Sequence, residues 1–220
     1  MRAHRSLEMA STALVRNATF FLDRAKVDEA LEGVRAAVRA AKAAPAPLLE
    51  MEAHHIEGEV QRERGDLAQA VAATDRALEV ASSAERTSTR LRAEVLRSRG
   101  TLLRRLGRVD DAILAHQKAL TIFRDVGART HEARTRNALA YAYLVKGHYE
   151  ESIAHAGNAV RIDLESGARM QVAKTLTNLG HAFARLGVSE RAGALLEQAR
   201  QMHIRYSRRR RAFRHVACEC

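Results

Sequence analysis

Small apolar side chains recur along this chain at a nearly fixed interval, set among larger apolar residues and polar stretches. "RLGRVDDAILAHQKAL" (residues 105–120) is followed forty residues later by "VKGHYEESIAHAGNAV" and forty further on by "RLGVSERAGALLEQAR". One column of the repeat holds Ala25, Gly65, Gly107, Gly147 and Gly187. A second holds Ala30, Ala70, Ala112, Ser152 and Ala192, and a third is alanine throughout, at Ala37, Ala77, Ala119, Ala159 and Ala199. The spacings are 40, 42, 40 and 40 residues, a period that signals stacked structural repeats.

The element this pattern predicts is an antiparallel helical hairpin. Glycine at the first column accepts the left-handed conformation that ends a helix without a Cβ clash. Ala18, Gly58, Gly100, Ala140 and Gly180 fall midway along each first helix, where a small side chain lets the second helix approach closely. The alanine columns are expected on the other side of that contact. Breaks between hairpins fall around Pro45 and Pro47, near Ser83, and at Gly127 and Gly167. Each hairpin buries one face internally and another against its neighbour, so at least three are needed for a stable stack. The expected fold is all-α, a right-handed α-solenoid of about five hairpins at residues 6–45, 46–87, 88–128, 129–168 and 169–204. A basic tail is expected over 205–220.

Composition agrees with helices. Of the 220 residues, 46% are hydrophobic but only 4% aromatic, and prolines number two. The chain is thus poor in the residues that strands favour. No apolar run approaches the roughly 18 residues of a membrane span, and Glu8 and Arg16 interrupt any signal-peptide core. The expectation is a soluble, cytoplasmic protein. Cys218 and Cys220 are crowded at one end and offer no disulfide framework.

The array resembles tetratricopeptide repeats in their long form of about 40 residues. Its best local match to the family pattern is "LTNLGHAF", in which Leu176, Leu179, Gly180 and Phe183 take the four pattern places. Leu96, Gly100 and Leu103 match next, then Leu139, Ala140 and Tyr143. The likeness spans roughly residues 11 to 205 and is similar to the arrays of polarity adaptors and bacterial signalling proteins. It implies a binding platform, with any catalysis in other domains. The family's tryptophan and usual proline are missing, and the second repeat sets His54, Glu57 and Gln61 at places normally apolar.

No catalytic motif is present: neither a P-loop, nor a G-x-S-x-G elbow, nor an H-E-x-x-H pair. His54 and His55 are adjacent and point about 100° apart on a helix, which does not suit chelation. His116 and His155 sit at similar places on second helices, as packing or surface residues do. The expectation is a non-enzymatic chain without cofactor or metal.

Stacked hairpins curve, and their first helices line the concave side. The groove-facing turns of the last three repeats supply Arg97, Thr101 and Arg104, then Arg134, Asn137 and Tyr141, then Lys174, Asn178 and His181. These are cations and amides with one aromatic, a set suited to an acidic or carboxylate-bearing segment of another protein. The net charge of +11 has a second focus. The last twenty residues carry Arg205, Arg208, Arg209, Arg210, Arg211 and Arg214 against a single glutamate. Phosphate neutralisation by these arginines would make the chain a nucleic-acid accessory protein instead. A third possibility is a regulatory peptide receptor, in which a bound peptide changes the curvature of the array.

Overall fold

The computed structural model describes the backbone of residues 2–83 and 88–218 and the side chains of residues 4–82 and 88–207. Its described elements are ten α-helices, without a strand among them: α1 (Arg2–Asp23), α2 (Val27–Ala43), α3 (Pro47–Arg64), α4 (Leu67–Ser83), α5 (Thr89–Arg105), α6 (Val109–Asp125), α7 (Arg129–Lys146), α8 (Tyr149–Glu165), α9 (Arg169–Arg185) and α10 (Ser189–Cys218). Consecutive helices pair as five antiparallel hairpins. By internal contacts the chain forms two compact units, residues 1–122 and 123–220.

The helix ends follow local chemistry. Gly65 and Gly147 end α3 and α7 in the left-handed conformation, with φ of 90° and 87°. Ser88 caps α5 by accepting a hydrogen bond from the Leu91 backbone N–H at 3.3 Å. Pro47 opens α3 at a position where its missing N–H costs nothing, and Asp110 and Asp111 place negative charge in the first turn of α6.

Ala25 takes the same turn without being glycine, at φ 59°. An L-residue there carries a steric penalty that glycine does not. Ala25→Gly is therefore expected to stabilise the first hairpin by about 0.5–1 kcal/mol, read as a higher urea midpoint.

In the first unit, Val15, Ala18, Leu31, Val34, Ala53 and Val60 form one core, and Leu102 and Leu103 form another with Ala70, Val71 and Ala112. In the second unit, Val172, Leu176 and Ala199 pack together and Leu139, Ala140 and Ile162 are buried. Both alanine columns are buried throughout. Ser152, the one exception to alanine in its column, satisfies its buried hydroxyl by donating to the Ala140 carbonyl at 2.7 Å.

Across the small residues of the first helices stand side chains other than the alanine columns. A Cβ at Gly58 would lie 3.1 Å from Thr74 Cγ2, one at Gly100 2.7 Å from the His116 ring, and one at Gly180 2.8 Å from Leu196 Cγ. The alanine columns contribute backbone to this contact, through the carbonyls of Ala70 and Ala192. Of the three polar positions of the second hairpin, His54 and Glu57 are held in a network, while Gln61 is buried with its Oε1 unpaired. Buried His54 meets Glu57 at 3.0 Å, and Arg76 donates to the same Glu57 oxygen at 3.0 Å. Burial alone would raise the Glu57 pKa, but these two hydrogen bonds hold it below the usual carboxylate range.

Candidate functional site

The first helices carry the polar side chains singled out in the sequence. In the second unit, α7 and α9 run side by side, and Asn178 Nδ2 donates to Asn137 Oδ1 at 2.8 Å. Two residues 41 apart are thereby joined across neighbouring hairpins. Around this amide pair, Arg134, Tyr141, Lys174 and His181 are exposed. The surface they make is cationic and rich in donors, with its amides already oriented by each other.

One carboxylate lies near it. Asp163 of α8 is buried, and its Oδ1 has no hydrogen-bond partner. Burial pushes its pKa up to about 6, against the pull of the Arg134 charge. Arg136 and Arg129, which the sequence pattern did not single out, are both held by Glu132, at 2.9 and 3.0 Å. Of the positive groups here, Arg134 and Lys174 are exposed, Arg129 is exposed but paired with Glu132 and Glu165, and Arg136 is partly buried against Glu132.

In the first unit, Arg97, Thr101 and Arg104 lie along α5. The Thr101 hydroxyl is spent on the Arg97 carbonyl, to which it donates at 3.2 Å. Arg97 and Arg104 both act on His116, a fully buried ring of α6 with neither nitrogen hydrogen-bonded. Burial first, then these two charges, press the His116 pKa down to about 3, so the ring is neutral at ordinary pH. On α3, His55 Nε2 lies 3.2 Å from Ser98 Oγ of α5. Its pKa is lowered by burial, with Glu59 and Glu94 working in the opposite sense. The face of the first unit is therefore mixed in charge where that of the second is cationic.

The side-chain bonds His55–Ser98 and Asn137–Asn178, each between two neighbouring first helices, obey one rule. His55 to Ser98 spans 43 residues where the repeat spacing is 42, and Asn137 to Asn178 spans 41 where it is 40. Each links a residue to the place one beyond its equivalent in the next hairpin. No column of a strict repeat alignment brings these partners together, which is why the sequence pattern did not reveal the bonds.

Arg205 is exposed on α10, whose backbone stays helical through Cys218. The side chains of Arg208, Arg209, Arg210, Arg211 and Arg214 lie outside the described residues. Among the described residues no group of three or more His, Cys, Asp or Glu side chains could hold a metal ion, and no helix is long and apolar enough to cross a membrane.

The repeat period, the left-handed turns and the buried alanine columns agree with a comparison of sequence families. The tetratricopeptide repeat model matches residues 49–125 and 91–165, together more than half of the chain. The chain belongs to the tetratricopeptide repeat family. No curated protein matches it in sequence. Among solved structures, the tetratricopeptide fold of this protein is similar to a variant of a Podosopora anserina protein of nearly identical kinesin-light-chain TPR-like repeats, with a TM-score of 0.75 at 16% identity over 94% of this chain and 99% of that one. It is similar also to aspartyl phosphate phosphatase F of Bacillus subtilis, with a TM-score of 0.77 at 14% identity over 93% of this chain but only 53% of that one. YrrB, described as a TPR protein with an unusual peptide-binding site, matches with a TM-score of 0.59 at 16% identity over 86% of this chain and 84% of its own. Identities this low carry the fold and nothing finer. The family itself is one of protein–protein interaction scaffolds.

Proposed function

We propose that this tetratricopeptide repeat protein is a non-enzymatic adaptor whose first-helix face holds a segment of a partner protein through that segment's carboxylates. The observation that carries the reading is the hydrogen-bonded pair Asn137–Asn178, set among exposed Arg134, Lys174, Tyr141 and His181. A pre-oriented amide pair costs little further ordering on binding, and the two cations give charge-assisted contacts to an acidic segment. Arg97, Thr101 and Arg104 are the corresponding groups of the first unit. The peptide-binding site named for YrrB supports a peptide ligand for this chain as well. In this reading the adaptor serves signalling or regulation in the cytoplasm, and the lack of a disulfide framework supports the compartment.

Fluorescence anisotropy with three labelled peptides of equal length, one acidic, one neutral and one basic, tests the proposal. The acidic peptide is expected to bind best and to weaken as salt rises. Arg134→Glu with Lys174→Glu should reduce its affinity by about tenfold or more, and Asn178→Ala by about fivefold. Equal binding of the acidic and basic peptides would overturn the reading. A labelled nucleic acid, bound through the arginines of 205–220 and indifferent to Asn137→Ala and Asn178→Ala, would move the function to Arg205 and the arginines beyond it.

A further inference from the structure

A second surface lies between the second helices of the first unit. α4 and α6 form its walls and α5 its floor, enclosing an open groove of about 570 Å³. Each wall presents one helical stripe: Asp75, Leu78, Glu79 and Ser82 from α4, and Asp111, Leu114, Ala115 and Lys118 from α6. Both stripes follow the i, i+3, i+4, i+7 spacing with which one helix receives another. Leu96 and Arg99 rise from the floor.

Leu114 is the anomaly. It is 56% exposed, and the equivalent places of the other hairpins hold Glu32, Ala72, Ala154 and Ala194. Only this hairpin sets a large apolar side chain there, beside half-buried Leu78 and the buried Leu96. The charges of the groove are largely settled within the chain. Arg99 pairs with Asp75, and Asp111 with Arg108 at 2.7 Å. That leaves Glu79 on one wall and Lys118 on the other, one of each sign, with an apolar centre between them.

We propose that a second copy of this chain occupies the groove, α6 of each copy lying in the groove of the other about a two-fold axis. A two-fold contact needs one patch that complements itself, and this patch does. Leu114 of each copy covers Leu78 and Leu96 of the other, while Glu79 of each faces Lys118 of the other, so both charges are matched twice. A strongly basic partner would leave Lys118 opposed, and a strongly acidic one Glu79. A single groove of this size buries an area at the low end for specific interfaces, below about 1,200 Å² in total. The dimer is therefore reversible, with a concentration-dependent mass.

Sedimentation equilibrium of the full chain, from low micromolar to several hundred micromolar, is the test. The mass should rise from monomer to dimer. Leu114→Glu should weaken the dimer by about tenfold or more, as expected for loss of a central anchor. Glu79→Lys should weaken it as well, and Glu79→Lys combined with Lys118→Glu should restore it. All three positions lie at the groove surface, so circular dichroism should show unchanged helix content in every variant. A wild-type chain that stays monomeric overturns the proposal and leaves the groove to a helix of another protein. A dimer indifferent to Leu114→Glu overturns it equally, by placing the contact elsewhere.

Discussion

Gly100→Ala is expected to destabilise the protein by about 2–3 kcal/mol, a drop in melting temperature of roughly 5–10 °C. The added Cβ would stand 2.7 to 2.8 Å from three atoms of the His116 ring. That ring is fully buried and planar, so it has no flexible end to withdraw. The helices must part or the ring must leave its rotamer, and both lose packing. Gly157→Ala provides the contrast. Gly157 is exposed in α8, where an added Cβ would meet nothing within 4 Å, and alanine there should raise stability by about 0.5–1 kcal/mol through helix propensity alone. Adding His116→Ala to Gly100→Ala recreates the Ala140–Ala156 pairing of the fourth hairpin, and should recover part of the loss. Urea denaturation of these variants beside the wild type reads the series. Equal effects at Gly100 and Gly157 would show that the contact with His116 does not limit the approach of α5 and α6.

Asp163→Asn is expected to make the protein more stable at pH 8 by about 1–3 kcal/mol and to change little at pH 4. The sign follows from the native pKa, raised to about 6 from an ordinary 3.8. The folded state then binds the Asp163 proton more tightly than the unfolded state. Between those two values the wild type loses stability as pH rises, and above about pH 6 the full cost of a buried carboxylate with Oδ1 unpartnered is present. Asparagine has nearly the same size and no charge, so it removes this dependence. The attraction between Asp163 and Arg134 is lost with it, which is why the gain stays below the full cost of burying a bare charge. Thermal melts of both proteins across pH 4 to 8 measure the difference. Parallel curves would mean that Asp163 is solvated in the folded state.

The two predictions differ in how far the sequence foretold them. Gly100 stood in a legible column, because any residue larger than alanine midway along a first helix would push the second helix away. Its partner could not be read. The places facing that column hold Val34, Thr74, His116, Ala156 and Leu196, which share neither size nor polarity. Each fits the glycine or alanine opposite, so the regularity lies in the pair and not in either column. Asp163 drew no notice for a similar reason. A lone carboxylate near a helix C-terminus resembles any solvated acid until neighbouring helices cover it.

The candidate site divides in the same way. Helical phase places Arg134, Asn137, Tyr141, Lys174, Asn178 and His181 toward the groove, and the structure joins Asn137 to Asn178 directly. That bond, like the contact of His55 with Ser98, connects residues one place out of repeat register. Helical phase says which way a side chain faces and nothing of the offset with which adjacent hairpins meet. Glu132, which holds Arg129 and Arg136, was equally invisible, since whether a surface arginine is free or paired depends on its neighbours.

By itself, then, the sequence determined the helices, the forty-residue period, the left-handed turns and the small-residue columns. These follow from backbone conformation and steric volume, which act within a few residues of chain. Only the tertiary structure decided which side chains fill the space against the glycines, which amides pair across hairpins, and which carboxylate is buried with an oxygen unpartnered. Those depend on contacts between residues distant in the chain, and on the water that packing removes.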